Sequence, residues 1–151
     1  MNWASIWQVA SREDALELWN ASPYFAFMGI VLTEGREGRA RCELRVTDRH
    51  RGGGGTAAVN GGVIAYVFDG VLGTAVATSH PAAPHVTLQL DVSYLRPLEG
   101  DLLRAEAWVV RGGSRIVFAQ AEIRDGAGEL CASARSIFRI FAPIASEGAS
   151  P

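Results

Sequence analysis

The segment from Val63 to Ala77 constrains the fold of this chain more than any other, because it is apolar on every side and includes one charged residue, Asp69. A run of fifteen such residues is too long for a typical strand and therefore predicts a helix that is buried all round. With 151 residues, 48% of them hydrophobic, the chain has the size of one domain whose core is large enough to bury that helix.

The wider apolar stretch at residues 57–78 raises the question of a membrane span, and its composition argues against one. It contains Asn60, Asp69 and four glycines. A central Asp alone costs about 2.5–3.5 kcal/mol on insertion scales. Because residues 1–10 also lack the basic flank and apolar core of a secretory signal, we expect a soluble cytoplasmic protein with no membrane partner.

Charge and cysteine content exclude further classes of protein. The formal net charge is −2 and no basic block stands out, which argues against nucleic acid as a partner. Cys42 and Cys131 are too few for a disulfide framework, and neither the cysteines nor the three histidines have the spacing of metal ligands. We therefore expect a protein that uses no metal and no cofactor, with both cysteines serving as packing residues.

On either side of the predicted helix, apolar and polar residues alternate with period two, which is typical of strands with one exposed face. Before the helix, this pattern predicts a hairpin with strands at 29–33 and 40–46. After the helix, it predicts strands at 86–94, 103–109, 115–124 and 130–141. Strands so close in sequence should pair antiparallel, as a four-strand meander. The predicted fold class is α+β, with an antiparallel sheet that curls around one long central apolar helix.

The two ends of the chain differ from this central unit. Ser11 and Asp14 are typical of a capped amphipathic helix, which should end near Ser22-Pro23. We therefore divide the chain into an N-terminal helical segment at 1–21, a central domain at 22–141 and a flexible C-terminal tail at 142–151.

Asp69 is the residue most informative about function. A carboxylate in a buried helix is costly to desolvate unless it is paired or used in chemistry. Two interpretations remain open from the residue alone. Asp69 either hydrogen-bonds a neighbouring group in a structural role, or it acts in catalysis.

The start of the predicted helix, Asn60-Gly61-Gly62, offers a second candidate site. The amides of Gly61 and Gly62 should lack intrahelical acceptors and lie at the positive end of the helix dipole, which suits a developing oxyanion. Alternatively, Asn60 is only an N-cap. Gly61 and Asp69 are about 12 Å apart along a helix, so one carbonyl cannot touch both. An active site built from both would have to lie across a two-fold dimer interface.

Two segments of the sequence carry a resemblance to a known family. These are Val59-Asn60-Gly61-Gly62-Val63-Ile64-Ala65 with Asp69, and the strand 86–97 followed by Gly100-Asp101. In order and spacing they resemble the hotdog-fold thioesterases, and within them the PaaI-type acyl-CoA thioesterases of phenylacetate pathways. The resemblance implies a hotdog fold, a homodimer paired into a homotetramer, and hydrolysis of an acyl-CoA thioester without metal, coenzyme A being part of the substrate.

The resemblance also implies roles for individual residues. Asp69 would be the general base or nucleophile, and the Gly61 amide, with Gly62 beside it, would bind the thioester oxygen. Asn60 would orient the carbonyl or a water, and Thr87 would position water near Asp69. Ser114 and Arg115, which lie in a turn before a strand, would hold the nucleotide part of coenzyme A.

Two departures from the family pattern keep alternatives open. Asn60 occupies the place usually held by His, and Gly54 that of a loop Asn. Since Asn60 cannot carry a proton at neutral pH, a non-catalytic hotdog protein that binds an acyl or aromatic ligand, or only assembles, is the second hypothesis. A hydratase or dehydratase is a third, which is less well supported because no His lies near Asp69 in sequence.

Overall fold

Six antiparallel strands form one sheet, and one long helix lies against it. The computed structural model describes residues 6–9, 11–52 and 54–143. The helices are α1 (Ile6–Val9), α2 (Arg12–Asn20), α3 (Pro23–Met28) and α4 (Gly61–Ser79), with a short 3₁₀ turn at Asp48–His50. The strands are β1 (Ile30–Arg36), β2 (Arg39–Arg45), β3 (His85–Tyr94), β4 (Leu102–Gly112), β5 (Ile116–Asp125) and β6 (Leu130–Ile140). Of the predicted C-terminal tail, residues 144–151 lie outside the described part.

Helix α4 confirms the prediction of a buried apolar helix. It contacts all six strands, and its most buried side chains include Val67, Phe68 and Leu72. By length and composition alone it could cross a membrane, a test that the core helix of a folded domain also passes. Here its apolar surface packs on the inner face of the sheet, which accounts for the pattern seen in the sequence.

The order of the strands is β1-β2-β4-β5-β6-β3, and every neighbouring pair is antiparallel. The predicted four-strand meander is therefore wrong in one connection, because β3 pairs with β6 and β4 pairs with β2. Residues 95–101 join β3 to β4 as a packed link and not as a tight turn. Within it Leu98 is buried, and its carbonyl accepts the Val59 N–H at 2.9 Å.

A bulge in β3 changes which side chains face α4. The register against β6 shifts between Thr87 and Gln89. The predicted alternation holds beyond the bulge, where Leu90 and Val92 pack against the core. Before it the predicted phase is wrong, because Val86 and Leu88 are 48% and 57% exposed. The residues that face α4 are His85, Thr87, Leu90, Val92 and Tyr94.

The N-terminal segment forms helices that pack beside β1. Ser11 caps α2 by accepting the Asp14 N–H at 3.1 Å, as the sequence predicts. Ser22 caps α3, which has Pro23 in its first turn and ends at Gly29 with a left-handed φ of 80°. This short helix supplies two aromatic side chains to the site described next.

Candidate active site

A cavity of about 290 Å³ lies beside the middle of α4 and includes Asp69. The Thr87 hydroxyl donates a hydrogen bond of 2.8 Å to Asp69 Oδ1. Asp69 is half-buried, so its second carboxylate oxygen can meet a ligand or water in the cavity. The structure thus brings Thr87 to Asp69, as the resemblance implies, and the bulge in β3 accounts for the inward direction of the threonine.

The aromatic side chains of Trp19, Tyr24 and Phe25 line one side of this cavity and form its aromatic wall, and Tyr66 holds Tyr24 from behind. The rings of Tyr24 and Tyr66 stack with their centroids 4.2 Å apart. Each hydroxyl donates to the backbone carbonyl of the other residue, at 2.6 and 2.9 Å. Burial, followed by the charge of Asp69, raises the pKa of Tyr24, so this phenol stays protonated. Gly70 leaves room for the Tyr24 ring, because a Cβ at this position would lie 2.8 Å from that ring.

His85 lies in the same cavity as Asp69 and was missed by reasoning from the sequence. Its ring packs edge-on against Phe138, and Nδ1 is 3.4 Å from the Ala83 carbonyl oxygen. Burial lowers the pKa of His85 below its ordinary value of 6.5. No His lies close to Asp69 along the chain, but the fold brings His85 into the same cavity. One signal could have found it, since residues 85 and 87 of a strand share a face.

At the start of α4, one of the two amides expected to be free has a hydrogen-bond acceptor. Asn60 Oδ1 accepts the Gly62 N–H at 2.8 Å, and Asn60 Nδ2 donates to the Gly52 carbonyl at 3.1 Å. The expectation that the Gly62 amide is free is therefore wrong, because its N-cap already uses it, and Asn60 is the cap. Within the described residues the Gly61 N–H has no acceptor, while the Gly61 carbonyl accepts the Tyr94 hydroxyl at 2.7 Å.

One chain does not bring the Gly61 amide to the Asp69 carboxylate. Gly61 lies beside Tyr94 and Asp69 beside Thr87, at opposite ends of the inward face of β3. Eight residues of helix separate them, or about 12 Å. Within one chain the two groups therefore lie at separate places.

Ser114 and Arg115 line a separate cavity of about 700 Å³ at the C-terminal end of α4, together with Arg139 and His80. Neither residue lines the cavity that contains Asp69. The two arginines make this second cavity basic, and the aromatic ring of Phe141 lies 5.8 Å from the guanidinium of Arg139.

The cysteines are not candidates for a nucleophile. Both are buried, and burial raises the pKa of the Cys42 thiol to about 12. The pKa of Cys131 is also raised, again chiefly by burial. Since a thiolate is the reactive form, both act as packing residues, as predicted. Among residues 6–9, 11–52 and 54–143 there is no group of three His, Cys, Asp or Glu side chains able to hold a metal ion.

An antiparallel sheet wrapped around one long apolar helix, with a carboxylate in a cavity at the middle of that helix, defines a hotdog-fold protein. The chain belongs to the thioesterase superfamily, whose family model matches residues 57–132. This confirms the resemblance found in the sequence and supports thioester hydrolysis as the general activity.

Relatives and solved structures agree with this assignment. A protein of Halobacterium salinarum, named as a candidate esterase, is 34% identical over 126 residues, covering 77% of this chain and 83% of its own. Human acyl-coenzyme A thioesterase 13 is 27% identical over 108 residues, covering 70% and 76%. The structure of the PaaI protein from the phenylacetic acid degradation operon of E. coli has a TM-score of 0.78, with 21% identity and coverage of 95% and 98%. That likeness shows the shared fold.

Proposed function

We propose that this protein hydrolyses an acyl-CoA thioester, aliphatic or aryl, to the free acid and coenzyme A, in the cytoplasm and without a metal. Superfamily membership and the name of the human relative support this substrate class. The observation that carries the proposal is the Asp69 carboxylate, fixed by Thr87 at 2.8 Å and open to a cavity with aromatic walls.

Asp69 acts in this proposal as general base or as nucleophile. Thr87 occupies one lone pair of Oδ1, so the carboxylate is held in one orientation while its other oxygen remains available. As a base, that oxygen takes a proton from water as the water oxygen attacks the acyl carbon. As a nucleophile, it attacks the acyl carbon itself, the C–S bond breaks with its electron pair on the sulfur of coenzyme A, and water then opens the resulting anhydride.

The second half-site comes from another copy of the chain. β3 is an edge strand whose outer side has no partner strand in the described residues, and it exposes Val86 and Leu88. Two β3 edges that pair antiparallel about a point between Leu90 and Asp91 would set the Tyr94 end of one copy opposite the Thr87 end of the other. The Gly61 amide of one subunit would then approach the partner's Asp69.

Gly61 is the proposed oxyanion donor. Its N–H is the free amide at the positive end of α4, and the Tyr94 hydroxyl bonded to the Gly61 carbonyl steadies this first turn. An amide placed this way stabilises the thioester oxygen as negative charge develops on it. Asn60 supports the donor by capping the same turn, and Gly62 contributes a bare backbone surface.

The basic cavity at the other end of α4 is the proposed site for the nucleotide part of coenzyme A. Arg115 and Arg139 can pair with phosphate, and Ser114 can donate a hydrogen bond. A dimer of dimers is also part of the proposal. The outer face of the sheet carries exposed Val110 and Phe118 beside a cavity of about 520 Å³, an apolar surface suited to a second interface.

The first test is a panel of short, medium, long and aryl acyl-CoAs, with released thiol measured by a thiol reagent. Asp69→Asn and Asp69→Ala should abolish hydrolysis while coenzyme A binding survives, because neither change touches the basic cavity. Full activity in either variant overturns the mechanism. Binding of acyl-CoA by the wild type without turnover on any member of the panel favours the non-catalytic alternative.

The second test isolates the Gly61 amide. Gly61→Pro replaces the N–H by a ring carbon, and proline suits the first helical position after Asn60, whose φ and ψ are −59° and 136°. Gly61→Ala is the matched control, since it adds a similar carbon against Tyr94 and keeps the donor. The proline variant should lose about 10²–10³ in kcat, and equal rates for the two variants refute the role.

Mixed dimers test whether the site is shared. Inactive Asp69→Asn and inactive Gly61→Pro subunits, unfolded and refolded together, should recover about a quarter of wild-type activity, since half of the dimers are mixed and each holds one intact site of two. No recovery, despite mixed dimers seen by native mass spectrometry, contradicts a shared site.

A further inference from the structure

The cavity that contains Asp69 lies between two walls that come from different parts of the chain. One is the aromatic wall, and the other is the start of β3, which contributes Val86 and Thr87. The floor between them is α4, where Gly70, Gly73 and Thr74 follow Asp69. The mechanism proposed above uses Asp69 and Thr87, so the rest of the cavity is available to the remainder of the acyl group.

The floor of the cavity is low because two of its residues are glycines. A Cβ on Gly73 would lie 3.8 Å from His85 Nε2 and 4.0 Å from the Phe138 ring, and both of these side chains line the cavity. The Thr74 hydroxyl donates to the Gly70 carbonyl at 2.9 Å, so this side chain satisfies its polar group on the helix itself. An apolar chain can therefore lie along the floor without leaving the threonine hydroxyl unpaired.

Trp19 is the part of the aromatic wall that comes from the N-terminal segment. Its indole packs on Phe25, with ring centroids 5.7 Å apart, and stacks on Trp7 at 6.5 Å. Trp7 is held in turn against β1, because a Cβ on Gly35 would overlap its ring. Trp19 is half-buried and lines the cavity, so it is supported by two other rings and presents a fixed surface to a ligand.

The lining also restricts the charge of the group that the cavity can hold. Among the described residues that line it, Asp69 is the one acidic side chain and none is an arginine. Burial lowers the pKa of His85 below 6.5, so its ring is neutral at pH 7. A carboxylate at the far end of an acyl chain would be buried there without a cation to pair with, which is costly. The cavity therefore fits an uncharged acyl group.

We propose that an uncharged acyl chain lies along the floor of this cavity and that Trp19 limits its length. The inference rests on the proposed function, because it takes the acyl carbon to lie at Asp69. The N-terminal segment thereby takes part in selecting the substrate, although it contributes nothing to the chemistry. Trp19 touches the acyl chain and not the reacting atoms, so it is a specificity-determining residue.

The test assays straight-chain acyl-CoAs of increasing length with variants that change the cavity in opposite directions. Trp19→Leu enlarges it and should raise the ratio of kcat/KM for long over short chains about 10-fold or more, the worth of one methylene in an apolar pocket. Trp19→Phe should give a smaller rise. Gly73→Ala adds a methyl group to the floor at ordinary contact distances and should lower the same ratio.

Trp108→Leu is the matched control, because it removes the same ring from a part of the sheet that does not line this cavity. It should leave the ratio unchanged. A purely structural role for Trp19 would lower kcat/KM equally for every chain length. Length profiles that keep their shape in both Trp19 variants and in Gly73→Ala overturn the proposal.

A binding measurement separates this inference from the proposed function. S-alkyl-CoA thioethers carry the same chains and have no carbonyl to be attacked, so calorimetry can follow their Kd without turnover. The wild type should bind them more tightly as the chain grows up to a limit, and that limit should move to longer chains in Trp19→Leu. Identical Kd profiles overturn the inference whether or not acyl-CoAs are hydrolysed. A shifted profile without hydrolysis by the wild type supports the role of Trp19 and overturns the catalytic proposal.

Discussion

Gly70→Ala and Gly73→Ala make the same chemical change in α4, three residues apart, and should differ in their effect on stability. A Cβ at Gly70 would lie 2.8 Å from the Tyr24 ring and 3.0 Å from that of Phe25. A Cβ at Gly73 would meet His85 at 3.8 Å and Phe138 at 4.0 Å, which are ordinary contact distances. Only the first substitution forces its neighbours to move.

The magnitude follows from two opposed contributions to the free energy of unfolding. Replacing glycine by alanine inside a helix stabilises it by about 1 kcal/mol, and this gain is common to both variants. Overpacking costs about 1–3 kcal/mol and applies at Gly70, where the Tyr24 ring is pinned by its stack and hydrogen bonds with Tyr66. We therefore expect Gly73→Ala to be more stable than the wild type, and Gly70→Ala to be less stable than Gly73→Ala by about 1–3 kcal/mol.

Urea denaturation followed by far-UV circular dichroism measures this difference, at one protein concentration because assembly shifts apparent stability. In thermal melts the two variants should differ by about 2–12 °C. If Gly70→Ala is as stable as Gly73→Ala, the aromatic wall is not rigid and the reasoning fails.

Four further predictions concern single residues. Thr87→Val removes the hydroxyl from Asp69 and should lower kcat about 10-fold, measured by thiol release, with Thr87→Ser as the control that keeps the bond. Cys42 should resist alkylation by iodoacetamide at pH 8 in the native protein and react on unfolding, and rapid native labelling would contradict its burial and raised pKa. Leu88→Arg on the β3 edge should give monomers by light scattering and abolish activity, whereas active monomers would refute the shared site. Because the folded pKa of His85 is lowered, the unfolded state binds its proton more readily, so stability should fall as pH drops below 6.5, and it should fall less in His85→Gln.

The sequence predicts the elements of this fold well, because each carries its own local pattern. An apolar run as long as 63–77 can be buried in a small domain only as a core helix. The observed helix, Gly61–Ser79, is four residues longer than that run. The pairing of β3 was predicted wrongly, since alternation reports which face of a strand is buried but not which neighbour it pairs with. The buried Leu98 in the link to β4 gave no periodic signal.

The candidate site was predictable where residues act through local rules and less so elsewhere. Asp69 stood out because a charge in an apolar helix is costly, and Thr87 followed from the family resemblance. His85 was missed, although it lies two residues before Thr87 and therefore on the same face of the strand. For Gly62 the alternative holds in which Asn60 is the N-cap, because the side chain of Asn60 accepts the Gly62 amide.

The extra residue in β3 makes this strand serve two purposes in succession. In a strictly alternating strand Thr87 and Leu90 would point to opposite faces, because they are three residues apart. The bulge between Thr87 and Gln89 lets the first part of β3 present polar groups to the helix and the second part complete the core. Deleting the single residue Leu88 would restore regular alternation and leave Thr87 and His85 on the same side as Leu90, because Leu88 is the residue that the bulge adds. Regular alternation with all residues kept would instead turn Thr87 and His85 away from Asp69, so the bulge decides whether this end of β3 presents polar groups to the helix.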